Sequence, residues 1–121
     1  MNENRYVTPR TPNRAELDAA LDVDDVEALS EMVVAVTALG DDPGLATDLV
    51  RRLITHEDEF VRGNAVLGVG HIARRFGSVA PDLLEKVRAA AVDPSEHVRD
   101  HAASAADDLQ MFLRIDVHDE G

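Results

Sequence analysis

The chain has 121 residues, enough for one modest core and not for two; 45% are apolar but only 3% aromatic, so the core is aliphatic, which favours close-packed helices over a sheet. Twenty-four acidic side chains against twelve basic leave a formal charge of -12, which argues against direct nucleic-acid binding and favours a basic partner. No Cys is present, which excludes disulfides, thiolate metal sites and a thiol nucleophile together and fits a reducing compartment.

Residues 1–14 read as an N-terminal arm. The stretch "MNENRYVTPRTPNR" has no apolar segment of a secretory signal, and no run in the chain approaches membrane-spanning length, so the expectation is a soluble cytoplasmic protein without membrane contact. From Ala15 to Val50 there are ten carboxylates and no Lys or Arg. Within that acidic surface Asp24, Asp25, Glu27 and Glu31 are candidate contacts for a basic partner.

Punctuation then divides residues 15–113 into six helices of a single domain. "TPNRAELDAALD" has Thr and Asn as caps and Glu16 in its first turn. "DVDDVEALSEMVVAVTALG" opens on acids and closes on Gly40. Asp42 and Pro43 start a third helix with an apolar stripe of Leu45, Leu49 and Leu53. A fourth runs from about Glu57 to Phe76 before Gly77, Ser78 caps the fifth, and Asp93 with Pro94 starts the last, which ends near Leu113. Residues 114–121 form a C-terminal tail.

The fourth and sixth helices repeat one pattern. "HEDEFVRGNAVLGVGHIARRF" (56–76) and "DPSEHVRDHAASAADDLQMFL" (93–113) superpose at an offset of 37, pairing Val61 with Val98, Arg62 with Arg99, Ala65 with Ala102 and Ile72 with Leu109. A fainter third copy places Asp24-Asp25 at the Val-Arg position. A period of that size containing two helices predicts an all-α, short α-solenoid, because one helix pair cannot bury its apolar face without a neighbour.

Over about residues 42–113 this pattern resembles the HEAT repeat, which implies a right-handed solenoid and assigns Asp58, Asp93, Arg62 and Arg99 to cross-linking neighbouring repeats at their turns. Position 95 is Ser where the first copy has Asp58. The layout of a short acidic N-terminal helix followed by "VRGNAVLGVGHIARRFG" and "AADDLQMFL" is also similar to small bacterial HEAT-like immunity proteins of toxin systems, of the contact-dependent growth inhibition type.

Val61, Ala65, Val69, Ile72 and Phe76 fall at helical spacing and are core. Gly63, Gly68 and Gly70 each cost about 1 kcal/mol in a helix relative to Ala, which close helix approach or a surface contacted by backbone would offset. A second stripe, Phe60, Asn64, Leu67, His71 and Arg74, has equivalents His97, His101, Ser104, Asp108 and Met111 in the last helix and Val23, Glu27, Ser30, Val34 and Thr37 in the second. Together these rows form a candidate partner-binding face, with Asn64, Leu67, His71, Arg74, His101 and Asp108 its central members and a His71–Asp108 contact expected. Arg74 and Arg75 are candidate neutralisers of Asp107 and Asp108.

His97 and His101 sit at i, i+4, but no Glu follows His97 as in zinc proteases and no third ligand is assured, so neither metal nor cofactor is expected. Ser78 and Ser104 have no evident His-Asp partners, and Asp107 and Asp108 point about 100° apart on a helix. These residues describe a non-catalytic module, with His71, Asp108 and Arg74 the only set an enzymatic reading would recruit. The expected function is an immunity protein that binds a basic, nuclease-type toxin domain and occludes its active site, as a monomer or weak dimer when free. The alternative is a general HEAT-type adaptor for another cytoplasmic protein. Self-association would run through the Met111, Phe112, Leu113 end.

Overall fold

Short polar side chains set where the helices of this chain begin. The computed structural model describes residues 11–117; the first ten residues of the arm and the last four of the tail lie outside the described residues. Asn13 accepts from the Glu16 amide at 2.8 Å while Glu16 accepts from the Asn13 amide at 2.9 Å, a closed capping box that starts α1, Arg14–Asp22. Asp25 caps α2, Val26–Leu39, and Asp42 caps α3, Pro43–Leu53, with Pro43 in the first turn. Asp58 accepts from the Phe60 and Val61 amides to start α4, Glu59–Phe76, which stops at Gly77 with φ 78°.

The last two helices start differently from the sequence reading. Ser78 does not cap α5, Pro81–Ala90; Ala80 holds the cap position without a side-chain bond, and the preset φ of Pro81 opens the helix instead. Ser95, not Asp93, caps α6, Glu96–Asp108. Regular α-helix ends at Asp108, earlier than expected, and Leu109–Leu113 continue as a π-helical turn closed by Arg114 at φ 59°. That wider turn keeps Leu109 buried and leaves Met111 and Phe112 exposed.

The described residues are all-helical, with six α-helices and no strand. The longest helix, α4, lies between α2 and α6 and also packs on α3, while α1 leans on α2 and α5 on α6. Val61, Ala65, Val69 and Ile72 are fully buried as the stripe predicts, and Phe76 is half-buried at its end. Each fully buried Val or Ile contributes about 1.5–3 kcal/mol, so this stripe is a principal source of cohesion.

Three glycines let the neighbours of α4 come close. A Cβ on Gly63 would sit 2.5 Å from the His97 ring, and one on Gly70 would sit 2.6 Å from Asp108 and 3.1 Å from the Ala105 backbone. On the opposite side a Cβ on Gly68 would meet Thr37 of α2 at 2.9 Å. The helix-propensity cost of these residues is therefore offset by tight packing on both flanks.

Candidate protein-binding face

Of the three rows of side chains singled out above, all but Val23, which ends α1, and Met111, in the π-helical turn, lie on α2, α4 and α6, the helices that pack side by side. Phe60 is 55% exposed and Met111 68%, Asn64, Leu67, His71, His101 and Asp108 are half-buried, and Arg74, Glu27 and Ser104 are exposed. Thr37 departs from its row and is fully buried. The face is thus polar with separated apolar points.

Contacts between the rows tie the face together. Asn64 Nδ2 donates to the Ser30 carbonyl at 3.0 Å, and His71 Nδ1 lies 2.9 Å from Thr37 Oγ1, each pair 34 residues apart. Arg74 Nη1 lies 3.5 Å from Asp108 Oδ2. His71 and Asp108, expected to be in contact, share no hydrogen bond among the described residues, although the Asp108 charge acts on the His71 ring. The offset of 37 read from sequence pairs Phe60 with His97, whose rings do pack, but Ser30 with Asn64, Thr37 with His71 and Arg74 with Asp108 meet at 34, close to one helical turn less, because side chains of one helix settle between those of the next. His71 therefore meets Thr37, and Asp108 meets Arg74.

This geometry sets the chemistry of His71. The Thr37 hydroxyl has one proton, directed at the Val33 carbonyl at 2.8 Å within its own helix, so it accepts from His71 Nδ1–H. Donation from Nδ1 is made by the neutral Nδ1–H tautomer, whose Nε2 is then an acceptor, and equally by the protonated ring. Burial lowers the His71 pKa, helped by the charges of Arg74 and Arg75 and opposed by Asp108. His101 is lowered as well, by burial first and then by His97. Its ring packs 4.2 Å from that of His97, which in turn packs 4.7 Å from Phe60. This Phe60–His97–His101 cluster joins α4 to α6 and draws in two residues absent from the central set named from sequence. Their periodic positions were the available signal.

Of the acidic candidates, two have structural roles. Asp24 lies 2.6 Å from His56 Nε2, and Asp25 caps α2. Glu27 and Glu31 are exposed, and neither forms an ion pair among the described residues. Arg74 does neutralise Asp108, whereas Arg75 turns to α2, donating to the Thr37 and Gly40 carbonyls at the helix C-terminus.

At the turns, Arg62 donates from Nε and Nη2 to both carboxylate oxygens of Asp93 at 2.8 and 2.9 Å, with the two side chains only 17% and 14% exposed. Its hydrogen bonds raise the Arg62 pKa and lower that of Asp93. Arg62 Nη1 also holds the His56 and Glu57 carbonyls, and 37 residues later Arg99 Nη1 holds those of Asp93 and Pro94. Asp58, expected to cross-link as well, caps its own helix, and Ser95 fills the same role at the equivalent position. The cross-link falls to Asp93 because Arg62 reaches forward to the next turn.

Among the described residues no three His, Asp or Glu side chains converge on a metal position, and no helix is long and apolar enough to cross a membrane. Compared with protein-family models, curated proteins and solved structures, the chain matches none.

Proposed function

We propose that this chain is a short right-handed HEAT-like solenoid with a period of 37, and that it works as a protein-binding module. The observation that carries the reading is the α2–α4–α6 face: three side-by-side helices hold a row of Asn64, Leu67, His71, Arg74, His101 and Asp108 in place and leave Phe60 and Met111 projecting. Apolar points within a fixed polar surface suit recognition of another protein. Recurrence of the Arg62 carbonyl bonds at Arg99 supports the repeat.

The partner is a basic protein. Glu27 and Glu31 beside this face, and the uncompensated charge of -12 overall, would steer a cationic surface onto it. In its specific form the reading is an immunity protein: a nuclease-type toxin domain offers a basic substrate cleft, which the acidic surface would fill in place of phosphate. His71, bonded to Thr37 rather than to a carboxylate, is a positioning and recognition group in this scheme.

Co-expression with the product of the gene directly upstream, followed by calorimetry at two salt concentrations, tests the proposal. Tight binding that weakens about tenfold or more from low to moderate salt supports it. Absence of binding refutes the immunity form, and salt-independent binding refutes the electrostatic basis.

A further inference from the structure

Four histidines stand among the described residues, and three of them, His71, His97 and His101, belong to the α2–α4–α6 face. The fourth, His56, has the Asp24 carboxylate at 2.6 Å, whereas none of the three bonds to a carboxylate among the described residues. His97 is the most confined. A Cβ on Gly63 would fall 2.5 Å from its Cδ2 and 2.8 Å from its Nε2, so the ring edge rests on the backbone of α4 in space that glycine leaves. Its Nε2 is closed off from solvent and has no hydrogen-bond partner among the described residues. The same ring packs against Phe60 at 4.7 Å and His101 at 4.2 Å.

That seat has no place for a second N–H. An imidazolium donates from both nitrogens, and a donor at Nε2 here would be buried without an acceptor. Two positive rings at 4.2 Å would also repel each other. The surrounding charges do not compensate. Burial and His97 oppose a proton on His101, and Asp100 of its own helix favours one but is outweighed. Across the seam, Glu59 beside Phe60 accepts from the Ser95 hydroxyl at 2.5 Å, Asp108 is taken up by Arg74, and the titratable group on α4 is His71, next to Arg74 and Arg75. Helix α5 meets α6 on another side, at Arg99, Ala102 and Ala106.

We propose that His97 and His101 form a proton-operated latch: uncharged, they hold Phe60 against α6, and on acidification the pair takes up charge, the His97 ring leaves its seat on Gly63, and the face releases a cationic partner. The latch is a property of the free chain. Its last step, release, rests on the α2–α4–α6 face being the site where a basic protein binds, since positive charge added beside Phe60 would repel such a partner.

NMR of the full chain, labelled with ¹⁵N and ¹³C, reads the latch between pH 7.5 and 5, the range in which histidine changes charge. His101→Phe keeps a ring in the stack without its proton site, identifies the His101 signals and serves as the comparison. In wild type the Phe60 ring and Gly63 amide signals should move with the midpoint of His101, and the nuclear Overhauser contact between the His97 ring and Gly63 should disappear, while the Leu29 and Leu49 methyl signals of the core hold their positions. In His101→Phe the movement of Phe60 and Gly63 should shrink by about twofold or more. The latch is overturned if His101 titrates while Phe60 and Gly63 stay in place, or if they move only together with Leu29 and Leu49, which is general unfolding. Both readings are taken on wild type and do not depend on the folding of a variant. Release is measured separately, by calorimetry with the product of the gene directly upstream. Binding about tenfold weaker at pH 5.5 than at pH 7.5, with a smaller difference for His101→Phe, supports it, and equal binding at the two pH values overturns it. A product that fails to bind at pH 7.5 counts against the partner-binding reading, and the latch then stands or falls on the NMR titration alone.

Discussion

Replacing Asp93 with Asn isolates the charge of the turn cross-link. Asn retains an oxygen for the Ser95 amide, which Asp93 accepts at 2.9 Å, but it removes the negative charge facing Arg62. Breaking a fully buried ion pair costs about 3–5 kcal/mol and an exposed one under about 1 kcal/mol. With side chains 17% and 14% exposed, and with two carbonyls still holding Arg62 Nη1, the loss should fall between, at about 2 kcal/mol. For a domain of this size that lowers Tm by roughly 8 °C or more. Urea unfolding of wild type, Asp93→Asn, Arg62→Ala and the double variant gives the coupling directly. The sign with pH is fixed: a carboxylate whose pKa is lowered in the folded state contributes stability above its unfolded pKa, near ~3.9, and loses it as pH falls through the folded value. The deficit of Asp93→Asn should therefore be full at pH 7 and shrink below about pH 4. A coupling under about 0.5 kcal/mol at pH 7, or a deficit unchanged in acid, would refute the assignment of Asp93 and Arg62 as the cross-link.

Gly70→Ala should destabilise by about 1–3 kcal/mol despite the better helix propensity of Ala, since its Cβ would meet Asp108 at 2.6 Å and the Ala105 backbone at 3.1 Å. Gly44→Ala, whose nearest neighbour is at 3.4 Å, should instead stabilise by roughly 0.5–1 kcal/mol; thermal unfolding of the two distinguishes packing from propensity. His71 has a lowered folded pKa, so the stability it contributes is present above its unfolded pKa near ~6.5 and lost as pH falls through the folded value. Urea midpoints between pH 7.5 and 5 should accordingly fall more for wild type than for His71→Asn, and equal slopes would remove this role. In a complex with a basic partner, Glu27→Gln with Glu31→Gln should slow association and flatten its salt dependence while leaving dissociation nearly unchanged, as stopped-flow kinetics would show.

Much of the fold was legible from residue order because its causes are local. The Asn13–Glu16 capping box, Pro43 in a first turn, Gly77 after α4 and the buried Val61–Ile72 stripe all follow from neighbours within a few residues. The same holds for the close approach at Gly63, Gly68 and Gly70, where a helix otherwise has no reason to carry glycine. Less local features were missed: the π-helical turn at Leu109–Leu113, and the start of α5 at Pro81 rather than behind a Ser78 cap.

The membership of the candidate face was legible for a different reason than its contacts were not. A periodic stripe identifies which side chains share a helix face, and those of α2, α4 and α6 do come together, with Thr37 alone fully buried. Sequence alignment of repeats, however, compares residue i with i+37, whereas Ser30 with Asn64, Thr37 with His71 and Arg74 with Asp108 are partners at 34. The difference of about one turn comes from how ridges of one helix enter the grooves of the next, a property of packed pairs that no single helix encodes. It gives His71 a hydroxyl partner beside the expected carboxylate, and so fixes its ring on a buried threonine. The turn cross-link follows a different spacing: Arg62 reaches Asp93, 31 residues on, because the turn before α6 rather than the helix register sets that distance.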